Sequence, residues 1–197
     1  GGEVDSGYGV DITRTYPVSG RFEGRQRAVY EAVLDAQLQS IAKCRPGVSY
    51  REVHDTASYV LAQFLKDEGI TDCSPEAAVE SGLHALVFPH GVGHHLGLDV
   101  HDMENFGDLP SYPAGTSRPD AFGTCYLRLN LPLEPGWVVT VEPGFYLVDP
   151  ILERRDLREK FRTLVNFEKL ADWRGFGGIR IEDDILITEQ EPRVLTE

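Results

Sequence analysis

The stretch HGVGHHLGLDVHD, residues 90 to 102, limits most strongly what this chain can fold into, because four of the chain's six histidines stand there among glycines. His90 and His94 lie four positions apart, like two metal ligands on one helical face, but Gly91 and Gly93 each cost a helix about 1 kcal/mol. The stretch therefore predicts a loop that enters a short strand over residues 95 to 100, with glycines where the backbone approaches a neighbour closely. Histidine-rich tracts are also typical of solvated loops, so acids elsewhere in the chain must decide whether a metal binds.

The composition predicts a single domain over residues 1 to 197, with 41% hydrophobic residues and enough chain for one core. A net charge of −13 argues against nucleic acid or an anionic membrane as a partner. The three cysteines are widely spaced and form no CxxC pair, which favours reduced thiols and a cytoplasmic location.

Local patterns predict a mixed α+β order of elements. The segment EVDSGYGVDITRTYPV, residues 3 to 18, breaks at Ser6 and Gly7, as a β-hairpin does. Three helices follow, from Glu23 to about Cys44, from a capping box at Ser49 to Gly69, and from Ser74 onward. Strands are predicted over residues 137 to 142 and 179 to 187, with a charged helical insert over 151 to 164. The Gly-, Pro- and Asp-rich residues 103 to 128 are expected to form a mobile or partner-contacting flap near a site.

Three acids stand on predicted strands, namely Asp11, Glu142 and Glu182. A solvated strand face explains any one of them alone. Taken together with HGVGHH, however, several carboxylates and one imidazole form a ligand set suited to Mn²⁺, Co²⁺ or Zn²⁺. The sequence therefore predicts a metal site that the fold must assemble from distant segments.

Four motifs carry a resemblance to a known family: GYGVDITRT, FPHGVGHHLGLDVHD, TVEPGFYLVD and FGGIRIEDDILIT, spread from residue 7 to residue 188. The chain resembles the pita-bread metallopeptidases of the creatinase and aminopeptidase P superfamily, most closely the Xaa-Pro dipeptidases (prolidases). The resemblance implies the C-terminal part of a catalytic domain with the α+β pita-bread fold, which hydrolyses the Xaa-Pro bond of dipeptides. The long insert between Glu142 and Glu182 favours this dipeptidase branch.

The resemblance also implies a centre of two divalent ions, Mn²⁺ in the first place and Co²⁺ or Zn²⁺ as alternatives. Asp11 and Glu182 become carboxylates that bridge the ions, His94 the single imidazole ligand and Glu142 a ligand of one ion. Glu142 is further expected to take a proton from the attacking water and pass it to the leaving prolyl nitrogen. Replacing His94 by Ala should then lower metal content.

Other residues are expected around these ligands. The resemblance makes His90 and His101 substrate-facing groups, with His101 donating to the oxyanion. Arg180, two residues before Glu182 on the same strand face, becomes a charge partner of the ligands, and Tyr146 lies beside them. His95 has no role in the family pattern and is expected to point away from the cluster.

The sequence departs from the family pattern at two places. A further metal-binding aspartate of the family aligns at or just before Gly1, so the domain is expected to be N-terminally incomplete. Residues 1 to 197 alone should then hold at most one ion firmly and show little peptidase activity. An arginine that grips the substrate carboxylate in some prolidases aligns near Phe167, which leaves Arg174 as the nearest substitute.

Several alternatives remain open from the sequence. The chain could belong to an aminopeptidase P that acts on longer peptides, or to a relative of the prolidases that hydrolyses organophosphates. A binding module that has lost catalysis is a third reading, although the four predicted ligand positions argue against it for an intact parent. The resemblance further implies a proline-containing peptide as substrate and a homodimer for the intact protein.

Overall fold

A computed structural model describes residues 1 to 196 and begins with a small antiparallel hairpin. Its strands are β1 (Gly2–Glu3) and β2 (Gly9–Val10). The connecting turn needs a left-handed backbone at Gly7, where φ is +83°, a conformation that glycine adopts without steric cost. The hairpin predicted from the break at Ser6 and Gly7 is therefore confirmed.

The predicted helices are confirmed as α1 (Gly24–Lys43), α2 (Tyr50–Asp67) and α3 (Pro75–Ser81). At the start of α2, the Ser49 side chain accepts from the amide of Glu52, and the Glu52 carboxylate accepts from the amide of Ser49. The Ser74 side chain caps α3 by accepting from the amide of Ala77. These ends depend on residues three positions apart, so the sequence alone predicts them.

The second half of the chain contains the following short strands and helices: β3 (Val138–Val141), β4 (Gly144–Tyr146), α4 (Asp149–Leu152), α5 (Arg155–Lys160), α6 (Phe167–Ala171), β5 (Gly178–Arg180), β6 (Asp183–Leu186) and β7 (Arg193–Val194). Short 3₁₀ helices lie at Leu83–Leu86 and Glu104–Phe106. The predicted helical insert is thus divided into two pieces. The strand predicted over residues 179 to 187 is likewise split, into β5 and β6.

The strand predicted over residues 95 to 100 is wrong. Only His95 bridges to Val139, and the chain then bends. The carboxylate of Asp102 occupies the space that a Cβ on Gly97 would need, and it also accepts from the amide of Asp99. This side chain stabilises a turn, which ends the extended backbone after Leu96.

Antiparallel sheets and the long helices share one apolar core. Strands pair in the orders β3-β6-β7 and β4-β5, and α1 packs against β3, β4 and β5. The fully buried side chains at the centre include Tyr50, Leu61, Phe88 and Phe145, which remove large apolar areas from water. Within residues 1 to 196, no helix is both long and apolar enough to cross a membrane.

Candidate metal centre and active-site cleft

Two of the predicted acids face each other where the sheet is interrupted. β3 pairs with β6 so that Val141 lies opposite Asp183, and β4 pairs with β5 so that Gly144 lies opposite Arg180. Continuing either register places Glu142 opposite Glu182. Residues directly opposite on antiparallel strands have Cβ atoms about 5 Å apart on the same face. The register therefore aims both carboxylates at one point.

A third segment carries Asp11 alongside Glu182. Thr13 forms an isolated bridge with Glu182, and its hydroxyl donates to Glu182 Oε2 at 2.5 Å. Asp11 lies two residues before Thr13, on the same face of an extended chain. Its amide donates to the carboxylate of Asp184, at 3.2 Å, which fixes the backbone at this position.

His94 reaches the cluster from a segment that runs along β3, on the edge away from β6. Its backbone carbonyl accepts from the amide of Thr140, and its amide donates to the Thr140 hydroxyl. A Cβ on Gly93 would overlap the Thr140 carbonyl and the Tyr50 hydroxyl, while one on Gly91 would lie 2.8 Å from the Cα of Leu127. The predicted reason for the glycines, close approach of backbone, is therefore confirmed.

The orientation of the His94 ring suits a ligand. Nδ1 donates to the carbonyl of His95 at 2.8 Å, which places the proton on Nδ1 and leaves the lone pair on Nε2. Nε2 lies 3.7 Å from Asp11 Oδ2 and 3.6 Å from Glu142 Oε1. In the part of the chain that the structure describes, this buried nitrogen has no hydrogen-bond partner.

Two overlapping groups of potential ligands result, one of Asp11, His94 and His101 and the other of His94, Glu142 and Glu182. Within each group, one ligand atom per residue lies within 4.8 Å of the others. A partnerless imidazole nitrogen facing several carboxylate oxygens is a donor set that fits a divalent cation. His94 belongs to both groups but offers only one lone pair, so the two groups describe neighbouring positions within one centre.

The electrostatics of the cluster favour a cation. Burial, together with the neighbouring carboxylates of Glu182 and Asp11, raises the pKa of Glu142 to about 8, although Arg180 opposes the shift. Burial also raises the pKa of Glu182 and lowers the pKa of His94 to about 4. Without a cation, the folded protein therefore disfavours the charged forms of Glu142, Glu182 and His94 alike.

We expect the metal-free protein to lose stability as the pH rises from about 6.5 to about 8. The pKa of Glu142 in the folded protein lies above its ordinary value, so the folded chain holds a proton that the unfolded chain has lost. The contribution of this proton to the free energy of unfolding disappears as the pH approaches 8. The buried histidines have the opposite effect on stability, but only when the pH falls below 6.5, their ordinary pKa. The free energy of unfolding should fall by up to about 2 kcal/mol across this window.

Denaturant unfolding with chelator present, at pH 6.5 and pH 8, measures this change. Glu142→Gln should flatten the dependence, and saturating Mn²⁺ should raise stability most at the higher pH. Equal stability of the metal-free wild-type protein at both pH values would contradict the expectation.

An ion pair and two hydrogen bonds connect three further predicted residues, Arg180, Tyr146 and His90, to Glu142. Arg180 Nη1 lies 3.4 Å from Glu142 Oε2, and Arg180 Nε donates to the Tyr146 hydroxyl at 2.7 Å. That hydroxyl lies 3.0 Å from Nε2 of His90, whose Nδ1 bonds the carbonyl of Gly91. Burial lowers the pKa of His90 to about 4, so the ring is neutral and its Nε2 accepts a hydrogen bond from the Tyr146 hydroxyl.

A cleft with a volume of about 290 Å³ lies beside these groups. The predicted residues on its walls are Asp11, His90, His94, His101, Glu142 and Arg180. Glu182 lies beneath, 2% exposed, and reaches the centre through its carboxylate. His95 instead packs its ring against Trp137, with centroids 4.8 Å apart, and belongs to neither ligand group. Its expected separation from the cluster is confirmed.

Two cleft residues were not singled out from the sequence, Tyr126 and Arg128. They alternate with the buried Leu127 and Leu129, and this alternation in YLRL was the available signal, since it directs both polar side chains to the opposite face. Arg174, the expected substitute for a carboxylate-binding arginine, pairs with Asp149 and Glu153 and does not line the cleft. That expectation is wrong because Arg174 belongs to an exposed turn.

The predicted flap, residues 103 to 128, is largely exposed and reaches the cleft through Tyr126. Only a few of its residues are buried, among them Ser111 and Tyr112. Its position near the site is confirmed, but Leu127 at its end belongs to the buried core. Its mobility and its contact with a partner stay predictions.

The model of metallopeptidase family M24 matches residues 1–189, almost the whole chain. The chain belongs to metallopeptidase family M24. Among M24 relatives, the Xaa-Pro dipeptidase of Stenotrophomonas maltophilia (strain K279a) is 44% identical over 191 residues, which are 96% of this chain and 42% of the relative. The Xaa-Pro dipeptidase of Homo sapiens is 39% identical over 189 residues, or 96% of this chain and 37% of that protein.

A solved M24 structure gives the fold. Zinc-substituted aminopeptidase P of Escherichia coli, in complex with product, matches with a TM-score of 0.69 and 35% identity over 96% of this chain and 35% of that one. The mixed helices and sheets described above are therefore those of the pita-bread fold, and the fold prediction is confirmed. The chain spans about two fifths of the length of the curated relatives that it matches.

Proposed function

We propose that the protein containing this chain is a metal-dependent peptidase that hydrolyses the Xaa-Pro bond of dipeptides. One observation supports the proposal: Asp11, Glu142 and Glu182, from three separate segments, all lie in ligand groups that share His94 beside one cleft. The curated M24 relatives named above, which are Xaa-Pro dipeptidases, support the choice of substrate. Residues 1 to 197 would form a single unit of the catalytic domain.

Asp11, His94, Glu142 and Glu182 would hold the metal. Divalent cations in such a centre supply Lewis-acid activation of water and of the scissile carbonyl. Glu142 would accept the proton of the attacking water and deliver it to the prolyl nitrogen as the C–N bond breaks. Its contact with Arg180 holds the carboxylate while leaving Oε1 directed to the centre.

Imidazoles on the cleft wall would position the substrate. His101 lies with its ring centroid 4.5 Å from that of His94, close enough to meet the developing oxyanion of the scissile carbonyl. His90, kept neutral by its burial and oriented by its hydrogen bonds with Tyr146 and the Gly91 carbonyl, would contact the peptide without exchanging its proton.

Arg128 would bind the free carboxylate of a dipeptide. It lines the cleft, its side chain is 34% exposed, and a guanidinium matches a carboxylate in shape and charge. This role distinguishes a dipeptidase from the second candidate, an aminopeptidase P that acts on longer peptides, which the solved M24 neighbours support.

We expect Ala-Pro to be cleaved at least about tenfold more efficiently, in kcat/KM, than Ala-Pro-Ala, because only the dipeptide places its carboxylate at Arg128. Product analysis by chromatography, with added Mn²⁺ and with chelator, measures both substrates and metal dependence. Preference for the tripeptide would favour the aminopeptidase P activity instead. Cleavage of neither peptide by the protein that contains this chain, with metal bound, would refute the proposed function.

We further propose two Mn²⁺ ions per complete site, since carboxylate and imidazole ligands suit Mn²⁺. Zn²⁺ is the alternative that the zinc-substituted Escherichia coli structure supports. A homodimer and a cytoplasmic location are also proposed, the latter supported by three unpaired cysteines, of which Cys44 is buried.

A further inference from the structure

One carboxylate oxygen contacts two residues of the cleft wall. Glu104 Oε2 lies 3.3 Å from His101 Nδ1 and 3.3 Å from Arg128 Nη1. His101 and Arg128 both line the cleft, whereas Glu104 stands behind them, in the flap and outside the cleft lining. Glu104 lies outside the four sequence motifs that carry the family resemblance.

The backbone beside Glu104 is strained in a way that maintains this contact. Met103 has a φ of +63°, and it is the one residue other than glycine, within residues 1 to 196, with positive φ. Such a conformation costs a non-glycine residue roughly 1 kcal/mol or more. It lets the chain turn sharply after His101, so that Glu104 folds back and its amide donates to the His101 carbonyl at 3.4 Å.

We propose that Glu104 is a positioning residue that holds His101 and Arg128 together on one wall of the cleft. The inference rests on the proposed function, in which His101 meets the scissile carbonyl and Arg128 meets the substrate carboxylate. Glu104 would set the distance between these two side chains.

The two contacts have different chemical consequences. A carboxylate beside Nδ1 suits the tautomer with its hydrogen on Nδ1 and orients the His101 ring, which leaves Nε2 on the opposite side of the ring. The contact with Arg128 restrains a long, rotamer-rich side chain before substrate arrives, so less conformational entropy is lost on binding. Losing Glu104 should therefore disturb both the ring state and the affinity for a free carboxylate.

The pairs are partly exposed, with side-chain exposures of 39% for Glu104, 45% for His101 and 34% for Arg128. Exposed ion pairs are individually weak in water. The expected effects are consequently modest in size, about three- to tenfold, and their pattern is more informative than their magnitude.

The first test reads His101 directly and needs no activity. Imidazole ¹⁵N shifts of the ¹⁵N-histidine-labelled protein should show a proton on His101 Nδ1 in the wild type and a loss of this preference in Glu104→Gln, which keeps the side chain's size but removes its charge. Glu191→Gln is the matched control, since Glu191 is an exposed carboxylate paired with Arg45 and lines no part of the cleft. Identical His101 shifts in wild type and Glu104→Gln would overturn the proposal.

The second test is a double-mutant cycle with Ala-Pro as substrate. Glu104→Gln should raise KM about three- to tenfold, but should change KM less than twofold when Arg128 is already replaced by Gln. Equal increases in KM in both backgrounds, or unchanged KM in the Glu104→Gln single variant, would overturn the link to Arg128. If the wild type cleaves no Xaa-Pro peptide, the proposed function fails by itself, and the shift experiment still decides whether Glu104 sets the state of His101.

Discussion

Glu142→Gln is expected to lower kcat for Ala-Pro by about 10²- to 10⁴-fold at saturating Mn²⁺. The amide of glutamine keeps the shape of the side chain but accepts no proton from water and returns none to the prolyl nitrogen. Because burial and the neighbouring acids already raise the pKa of Glu142 to about 8, removing this charge should leave the metal-free fold at least as stable at pH 8. Steady-state kinetics and thermal unfolding on the same samples measure both effects.

The combination of lost turnover and retained stability separates catalysis from folding. Glu134→Gln is a suitable control, since Glu134 is exposed and lies outside the cleft, and it should keep wild-type kinetics. Turnover by Glu142→Gln within tenfold of the wild type, with metal bound, would show that another group moves the proton.

His94→Ala should weaken Mn²⁺ binding more than about 100-fold, whereas His95→Ala should leave metal affinity and stoichiometry unchanged. The neighbouring histidines make a matched pair. His94 directs its partnerless Nε2 to Asp11 and Glu142, while His95 packs on Trp137. Calorimetric titration with Mn²⁺, together with metal analysis after dialysis, compares the two variants with the wild type.

The two replacements should also differ in their effect on folding. His95→Ala removes an aromatic contact and is expected to lower thermal stability slightly, without a change in metal content. Equal loss of metal in both variants would indicate that the loop as a whole, and not the His94 nitrogen, determines binding.

Elements whose signals lie within a few residues were predicted well. The caps of α2 and α3, from Ser49 and Ser74, involve residues three apart, and the amphipathic faces that follow depend on helical periodicity. The strand expected over residues 95 to 100 failed because its alternation competes with a turn that Asp102 stabilises. The split between β5 and β6 also escaped prediction, since Thr13, more than 160 residues away, bridges the chain at Glu182.

By itself, the sequence determined which types of side chain could act as ligands, through the motifs around Asp11, His94, Glu142 and Glu182. It also determined the glycines that precede His94. Only the tertiary structure decided that these residues meet, because the register of the strands sets Glu142 opposite Glu182, and bridges with Thr13 and Val139 bring in the other two segments. It also decided that Glu104, beside the turn at Met103, contacts Arg128. Contacts between distant segments depend on packing and pairing over the whole fold, and no local pattern encodes them.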